Sequence, residues 1–507
     1  MLYDFDFRNL FIFELANNHQ GDVEHGHRII RELGQVAREQ AVRAAVKFQF
    51  RALDSFIHPD HRESDANKHI KRFLSTRLSK TEFAELCDQV RKQDLITMCT
   101  PFDEESVDLV EQLEIEVIKI GSCSATDWPL IERIAESGKP VIFSTGGVSL
   151  KQIDDLVSYF DHRRVHFAIM HCVSIYPTPD DKLQLSQIEL LRNRYPNKVI
   201  GFSTHERPDD TVPIQVAVAK GADMFEKHVG VATEEIKLNT YSATPDQVAR
   251  WIEAYKKAKA LCGVSGVRPA AWPEESESLL SLQRGVFAAH RLPVGVPIKR
   301  EDVFFAMPCQ KGQLTAAAWK SGLVLEREVE PNGPIMLSSA SLPEEGPQRI
   351  VYTAIHTIKA MLSEAKIAVP TDFKLEISHH YGMEHFDRYG ATLVECVNRG
   401  YCKKLIVQLP RQRHPAHFHK SKEETFQVLH GVLDMELDGR RKTLYPGDTA
   451  VILQGVWHEF WTETGAIVEE ISSTHYNNDS FYADKAINRL ARSARKTIVD
   501  HWGRFQL

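Results

Sequence analysis

Val199-Ile-Gly-Phe-Ser203-Thr-His205-Glu-Arg-Pro-Asp-Asp-Thr211-Val-Pro-Ile-Gln-Val-Ala-Val-Ala-Lys220-Gly-Ala-Asp-Met224-Phe-Glu226-Lys-His228 reads as strand, helix, strand. The first apolar run leads into Ser203 and His205, a helical stretch fills 211–220, and the second run leads into Glu226 and His228. Towards the start of the chain, further apolar runs lie at 11–13, 44–48, 95–98, 117–120, 141–143 and 165–170. Helical stretches such as 80–93 and 104–113 separate them. Eight strand–helix units in about 260 residues have the size of a TIM barrel. A doubly wound sheet would have fewer strands and often a glycine fingerprint after the first, and no G-x-G-x-x-G occurs there. The expected fold class is α/β, with a (β/α)8 TIM barrel over residues 1–262.

A barrel predicts reactive side chains at the C-terminal ends of its strands. The order along the chain is Glu14 to His19, Lys47 and Gln49, Thr100 to Asp103, then Lys119 and Ser122. Ser144 to Gly146 and His171 to Tyr176 follow, the latter including Ser174, and last come Ser203, His205, Glu226 and His228. Two buried lysines are costly, so each predicts an anionic partner. Lysines and hydroxyls suit phosphate and carboxylate oxygens. Two histidines with open positions suit a divalent cation acting as a Lewis acid. The set implies chemistry between a phosphorylated acid and an aldehyde or ketone.

A chain of 507 residues exceeds one ordinary core. With 43% hydrophobic and 26% charged residues it has a soluble composition, and a net charge of -7 argues against a nucleic-acid partner. The eight cysteines are scattered without a C-x-x-C, as in a reducing compartment. The first residues carry acids where a signal peptide has cations, and no run has the length of a membrane helix. A cytoplasmic enzyme with no membrane contact is expected.

After the barrel, residues 262–278 read as a linker and 279–342 as a small β-rich module. A Pro/Glu-rich stretch and an amphipathic helix occupy 343–370. Residues 371–507 form a third domain, whose basic tail at 489–504 is expected to close it as a helix. Within it, His417-Phe-His419, Glu424, Gly431, Gly447 and His458 have the ligand spacing of a cupin. Histidines one apart on a strand project to one face, and Glu424 with His458 on a returning strand would close a three-His, one-carboxylate site. Such a set suits Zn, Mn, Fe or Ni.

Glu14-Leu-Ala-Asn-Asn-His19-Gln-Gly-Asp22 resembles the opening motif of the sialic acid synthase family. So do Val46-Lys47-Phe-Gln49, Thr100-Pro-Phe-Asp103, Lys119-Ile-Gly-Ser122, Ser144-Thr-Gly-Gly147, His171-Cys-Val-Ser-Ile-Tyr176-Pro, Gly201-Phe-Ser203-Thr-His205 and Glu226-Lys-His228. The likeness spans 10 to about 340, since 279–342 resembles that family's antifreeze-like (SAF) domain. It implies condensation of phosphoenolpyruvate with an N-acyl hexosamine-type aldose, giving a nonulosonate and phosphate. It also implies Mn or Mg on His205 and His228, and a homodimer in which each SAF domain caps the neighbouring barrel. Carried over by motif, Lys47, Thr100, Lys119, Ser122, Ser144 and Ser203 would bind phosphoenolpyruvate. Glu14 would place water or shuttle protons, while Gln49, Tyr176 and Glu226 would face the sugar or brace the site. The chain departs from the family at Ser174, where an amide or acid is common, and at 237–242, where Asn239 stands in for a sugar-binding aspartate. In the small module Ala306-Met-Pro-Cys309 replaces an arginine-bearing K-R-P-G stretch. A different acceptor sugar follows from these changes.

The third domain resembles D-lyxose isomerase-like cupins through His379-His380-Tyr-Gly, Asn398-Arg-Gly-Tyr-Cys402-Lys-Lys404, Lys422-Glu-Glu-Thr-Phe426 and Ser472-Ser-Thr-His475. That likeness implies a sugar-binding metal site, with Glu436 or Glu470 as the proton carrier if it isomerises an aldose. One alternative reading therefore makes the cupin the main catalyst, an isomerase or epimerase, with the barrel secondary. Another makes the barrel a sugar-binding module without chemistry.

Overall fold

The computed structural model describes residues 5–62, 67–343 and 346–503. The acid-bearing start of the chain, Glu344 and Glu345 of the Pro/Glu-rich stretch, and the end of the basic tail lie outside them. The chain divides into two compact units, Met1–Ala270 and Ala271–Leu507.

In the first unit, β1 (Leu10–Glu14), β2 (Arg43–Phe50), β3 (Ile96–Pro101), β4 (Val117–Ile120), β5 (Val141–Ser144), β6 (Phe167–Cys172), β7 (Ile200–Thr204) and β8 (Met224–His228) close a parallel barrel in sequence order. Strand geometry has period two, so residues of one parity face the axis. Leu10, Ile12, Ala45, Met98, Val117, Ile142, Ala168, Met170 and Met224 make one apolar cluster. Two residues further along, the same parity delivers Glu14, Lys47, Thr100, Lys119, Ser144, Cys172 and Glu226. The barrel interior thus changes from apolar to polar at its C-terminal end. The opposite parity, including Phe11, Phe13, Val46, Phe48, Ile118 and Phe202, packs with the helices. Helix starts are capped: Asp22 for Val23–Glu39, and capping boxes from Ser79, Ser149 and Thr244 for Lys80–Lys92, Leu150–Arg163 and Pro245–Cys262. The expected sixth run begins two residues later than its apolar sequence, because Val165 and His166 close the preceding turn.

The second unit opens with a helix, Pro273–Leu282, across the stretch expected to be a linker. Pro273 at its first turn, followed by Glu274 and Glu275, supplies a helix start. The small module pairs β9 (Gly285–Ala288) with β10 (Val303–Ala306), and β11 (Val324–Leu325) with β12 (Ala340–Ser341). Their core holds Val286, Leu292, Ile298, Leu314, Leu323 and Ile335. Helix Pro347–Glu364 buries Val351, Ile355, Ile358 and Leu362 against the sheet residues Leu375, Val394 and Val407.

The third region is a two-sheet β-structure. The strands are β13 (Lys374–Ser378), β14 (Ala391–Asn398), β15 (Tyr401–Gln408), β16 (Arg413–His419), β17 (Glu424–Gly431) and β18 (Leu433–Leu437). They continue as β19 (Arg440–Leu444), β20 (Thr449–Ile452), β21 (His458–Trp461), β22 (Ala466–Ser473), β23 (Ser480–Tyr482) and β24 (Lys496–Asp500). One sheet has the order β20-β17-β22-β15-β14-β13-β24 and the other β19-β18-β21-β16-β23. Gly431 and Gly447 have φ of 76° and 97° and turn the chain between strands. The tail does not form the expected closing helix: Lys485–Arg489 is a short α-helix, Arg492–Ala494 a single 3-10 turn, and Lys496–Asp500 a strand paired with β13. The run Thr497-Ile-Val499 is β-branched, Val499 is buried opposite Leu375, and pairing satisfies the backbone edge of β13. Among the described residues no helix is long and apolar enough to cross a membrane. All eight cysteines are free thiols.

Candidate functional site

At the C-terminal end of the barrel, four buried charges meet. Lys47 Nζ lies 2.5 Å from Glu14 Oε2 and 2.9 Å from Glu226 Oε1. Lys119 Nζ lies 3.1 Å from Glu226 Oε2, and Ser203 Oγ donates to Glu226 Oε1 at 3.0 Å. Each expected lysine partner is therefore present, and β-register explains it: Glu14 is level with Lys47, and Ser203 with Glu226. Burial works to raise the Glu226 carboxyl, but Lys119 and Lys47 hold it well below the carboxylate range. Burial pushes the Glu14 carboxyl up in spite of Lys47. Burial also pushes the Lys119 ammonium down, although Glu226 opposes it. Two lysines and two carboxylates sum to zero charge, yet burial still disfavours the charge on two of the four, Glu14 and Lys119. An anion arriving at Lys119 would relieve that strain on its charge.

Around this quartet stand the hydroxyls. Ser122 Oγ accepts from the Gly146 amide at 3.0 Å, and Ser144 Oγ is buried without a hydrogen-bond partner. Thr100 is buried on β3, and Gln49 Oε1 accepts from Arg51 at 3.1 Å. A Cβ on Gly146 would stand 2.4 Å from Ser174 Oγ and 2.8 Å from Ser122 Oγ, so only glycine leaves room there.

His205 and His228 end adjacent strands with ring centres 5.4 Å apart. The Val173 carbonyl, 2.9 Å from His205 Nδ1, fixes that ring and leaves Nε2 for a ligand. Burial, then His205, push the His228 imidazole well down, so it stays neutral and able to ligate. The pair fits a divalent cation as two imidazole ligands. Tyr176 covers His205 at 4.3 Å between ring centres and is half exposed at the barrel mouth. Asn239 Oδ1 accepts from the Tyr241 and Ser242 amides, holding the loop whose Ser242 Oγ accepts from Asn18. Its side chain thus braces the loop.

Sequence reading missed Cys172 and Asn18 as site residues. Cys172 Sγ lies 3.9 Å from His205 Nδ1 and accepts from Ser122 Oγ at 3.6 Å. Burial acts to raise this thiol, but contact with His205 brings it to about 7. Its signal was its parity with Met170 on β6. Asn18 bridges Val229 O and Ser242 Oγ, contacts more than 200 residues away that no local pattern announces.

In the second unit, β16, β17 and β21 bring His417, His419, Glu424 and His458 together. Ligand atoms of the three histidines all lie within 4.8 Å of one another. Each ring has Nδ1 on a backbone carbonyl: His417 on Pro415 at 3.0 Å, His419 on Asp479 at 2.9 Å, and His458 on Val456 at 3.1 Å. That anchoring places the proton on Nδ1 and turns the Nε2 lone pair to the centre. Glu424 stands 3.4 Å from His419 Nε2 and 3.3 Å from His458 Nε2, the latter without hydrogen-bond geometry. Three imidazoles and a carboxylate fit a divalent transition metal. Lys422 contacts Glu424, and its Nζ is 2.9 Å from Glu470. Of the two expected proton carriers, Glu470 lines this cavity while Glu436 pairs with Arg441.

A family model described as "NeuB family" matches residues 35–266, and one described as "Cupin domain" matches residues 405–472. A solved structure from Chromobacterium violaceum, described as a spore coat polysaccharide biosynthesis protein E, is 45% identical. It covers 66% of this chain and 100% of its own, with a TM-score of 0.64. An uncharacterized protein of Methanocaldococcus jannaschii is 28% identical over 59% of this chain and 84% of its own length. The N-acetylneuraminate-9-phosphate synthase of Drosophila melanogaster is 31% identical over 43% of this chain and 59% of its own. The NeuB family match falls on the barrel and does not favour a reading in which the barrel is secondary.

Proposed function

The chain belongs to the NeuB family through its barrel, and from that premise we propose that the barrel condenses phosphoenolpyruvate with an N-acyl hexosamine-type aldose. The observation that carries this reading is the buried Glu14–Lys47–Glu226–Lys119 quartet beside two histidines. Carbon 3 of phosphoenolpyruvate bonds to the aldehyde carbon, whose oxygen takes a proton. Water adds at carbon 2, and phosphate leaves to give a 2-keto acid.

Lys47 and Lys119 hold the phosphate and carboxylate oxygens, with Thr100, Ser122, Ser144 and Ser203 donating hydroxyls. Glu226 keeps both ammonium groups charged and in place. Glu14, its carboxyl raised by burial, is suited to exchange the water proton. His205 and His228 would hold a divalent Mn or Mg ion, which supplies Lewis-acid polarisation of the aldehyde. Tyr176, Gln49, Ser174 and Asn239 line or brace the side where the sugar enters. Domain limits of 1–262, 279–342 and 371–507, an SAF role for the middle module, a capped homodimer and a cytoplasmic setting belong to the same reading.

The test is phosphate release from phosphoenolpyruvate with Mn across N-acetylmannosamine, its 6-phosphate and diacetamido-dideoxy hexoses. Release that depends on one sugar and is lost in His228→Ala supports the synthase. No release with any sugar would sink it.

A further inference from the structure

The cupin cavity carries more charge than its metal ligands explain. Lys404, Lys422 and Lys496 line it, as do Glu376, Glu424 and Glu470. Three cations and three carboxylates balance before any metal is added. Lys496 Nζ lies 2.5 Å from Glu376, and Arg492 adds a second cation to that same carboxylate at 2.8 Å. Lys422 is shared between Glu424 and Glu470. Lys404 is different. It is 3% exposed, and its carboxylate neighbour Glu395 stands 3.8 Å away, too far for a hydrogen bond. His475 Nδ1, also on the cavity wall, is buried without a partner.

A divalent ion on the three histidines and Glu424 would leave this enclosure with an excess of about two positive charges. A buried excess of that size is costly unless a ligand brings the opposite charge. The cavity measures about 40 Å3, room for the head of a small ligand. The residue types select that head. A carboxylate with a neighbouring hydroxyl or keto oxygen can chelate a hard or borderline ion and still offer an oxygen to an ammonium group.

We propose that the metal-loaded cupin binds the carboxylate end of an acidic sugar, with Lys404 as its counter-charge and His475 as a hydrogen-bond partner. This departs from the neutral aldose implied by the isomerase-like resemblance. It stands on the charges of the cupin alone and is independent of the barrel chemistry. The acid has two possible sources: a 2-keto acid of the kind proposed for the barrel, or a sugar acid such as a uronate made elsewhere.

The test uses the full chain carrying His228→Ala, so that the cupin is the site under observation, loaded with Co(II). Visible absorption of the metal is followed while N-acetylneuraminate, glucuronate or glucose is added. Either acid is expected to perturb the spectrum at concentrations at least tenfold lower than glucose. The stronger of the two acids identifies the source. Lys404→Met is expected to remove that preference and leave the glucose response in place, while Lys404→Arg retains it. Equal or tighter binding of glucose overturns the proposal, as does an undiminished preference in a folded Lys404→Met protein. Should Lys404→Met not fold, the acid-to-glucose comparison and Lys404→Arg still decide.

Discussion

Lys47 and Lys119 look alike in sequence, but the structure gives them different dependents. Lys47 is the cation in contact with Glu14, whereas Glu226 is shared by both lysines. Lys47→Met should therefore strand a buried carboxylate and lower unfolding free energy by roughly 3–5 kcal/mol. Lys119→Met should cost clearly less stability, because Glu226 keeps Lys47 and Ser203, while phosphate release still falls at least a hundredfold. Denaturant unfolding beside the phosphate assay separates the two effects. A different residue contributes to acid sensitivity. Burial lowers the His19 imidazole to about 4, against about 6.5 in the unfolded chain. Between those values the unfolded chain takes up a proton that the folded chain refuses. His19 thus favours folding fully above pH 6.5, and this contribution is lost as pH falls towards 4. The expected loss is about 2 kcal/mol between pH 7 and pH 5. His19→Gln should flatten the pH dependence of urea midpoints by that amount, and an unchanged slope would refute the assignment.

At the scale of single elements, two strand ends decide the sites. Gly146, after β5, lies so close to Ser174 and Ser122 that a methyl group cannot enter without moving both. Gly146→Ala should reduce kcat/KM for phosphoenolpyruvate by about a hundredfold through misplaced hydroxyls. Its melting temperature should stay within a few degrees, since the strand ladder is untouched. In the cupin, β24 supplies both the edge partner of β13 and Lys496, the ion-pair partner of Glu376. Truncation after 484 should leave Glu376 buried without its cations and expose the β13 edge. Metal content measured by atomic emission should then drop well below the full-length value, and retained stoichiometric metal would show that β24 is dispensable.

The whole molecule holds two chemically separate centres in two compact units. The barrel brings together two histidines, whereas the cupin brings together three with a carboxylate beside them. Ligand number alone predicts that chelation strips the barrel first. Titration with a chelator should abolish phosphate release while a metal equivalent remains bound. Further chelation should lower the melting temperature of the Ala271–Leu507 unit, because a bound ion stabilises only the folded form. His417→Ala with His419→Ala should erase that second step and leave phosphate release intact.

Sequence alone determined the barrel, because its strands repeat a simple period and its reactive residues fall at one end of each. It also pointed to the histidines that the fold gathers in the cupin, since H-x-H on a strand and the two glycine turns are local patterns. The demand that Lys47 and Lys119 have anionic partners followed from the cost of burying charge, but which carboxylates answer it did not. Glu14 and Lys47 share a register position across adjacent strands, while Lys119 and Glu226 meet across the barrel from strands 107 residues apart. The closing strand was misread as a helix for a related reason. Its basic surroundings suggest a solvated helical face, and only the free edge of β13 gives Thr497-Ile-Val499 something to pair with. The roles of Asn18 and Lys404 likewise became visible only in three dimensions. What each does depends on which neighbours the fold brings within hydrogen-bond range and which it leaves beyond it.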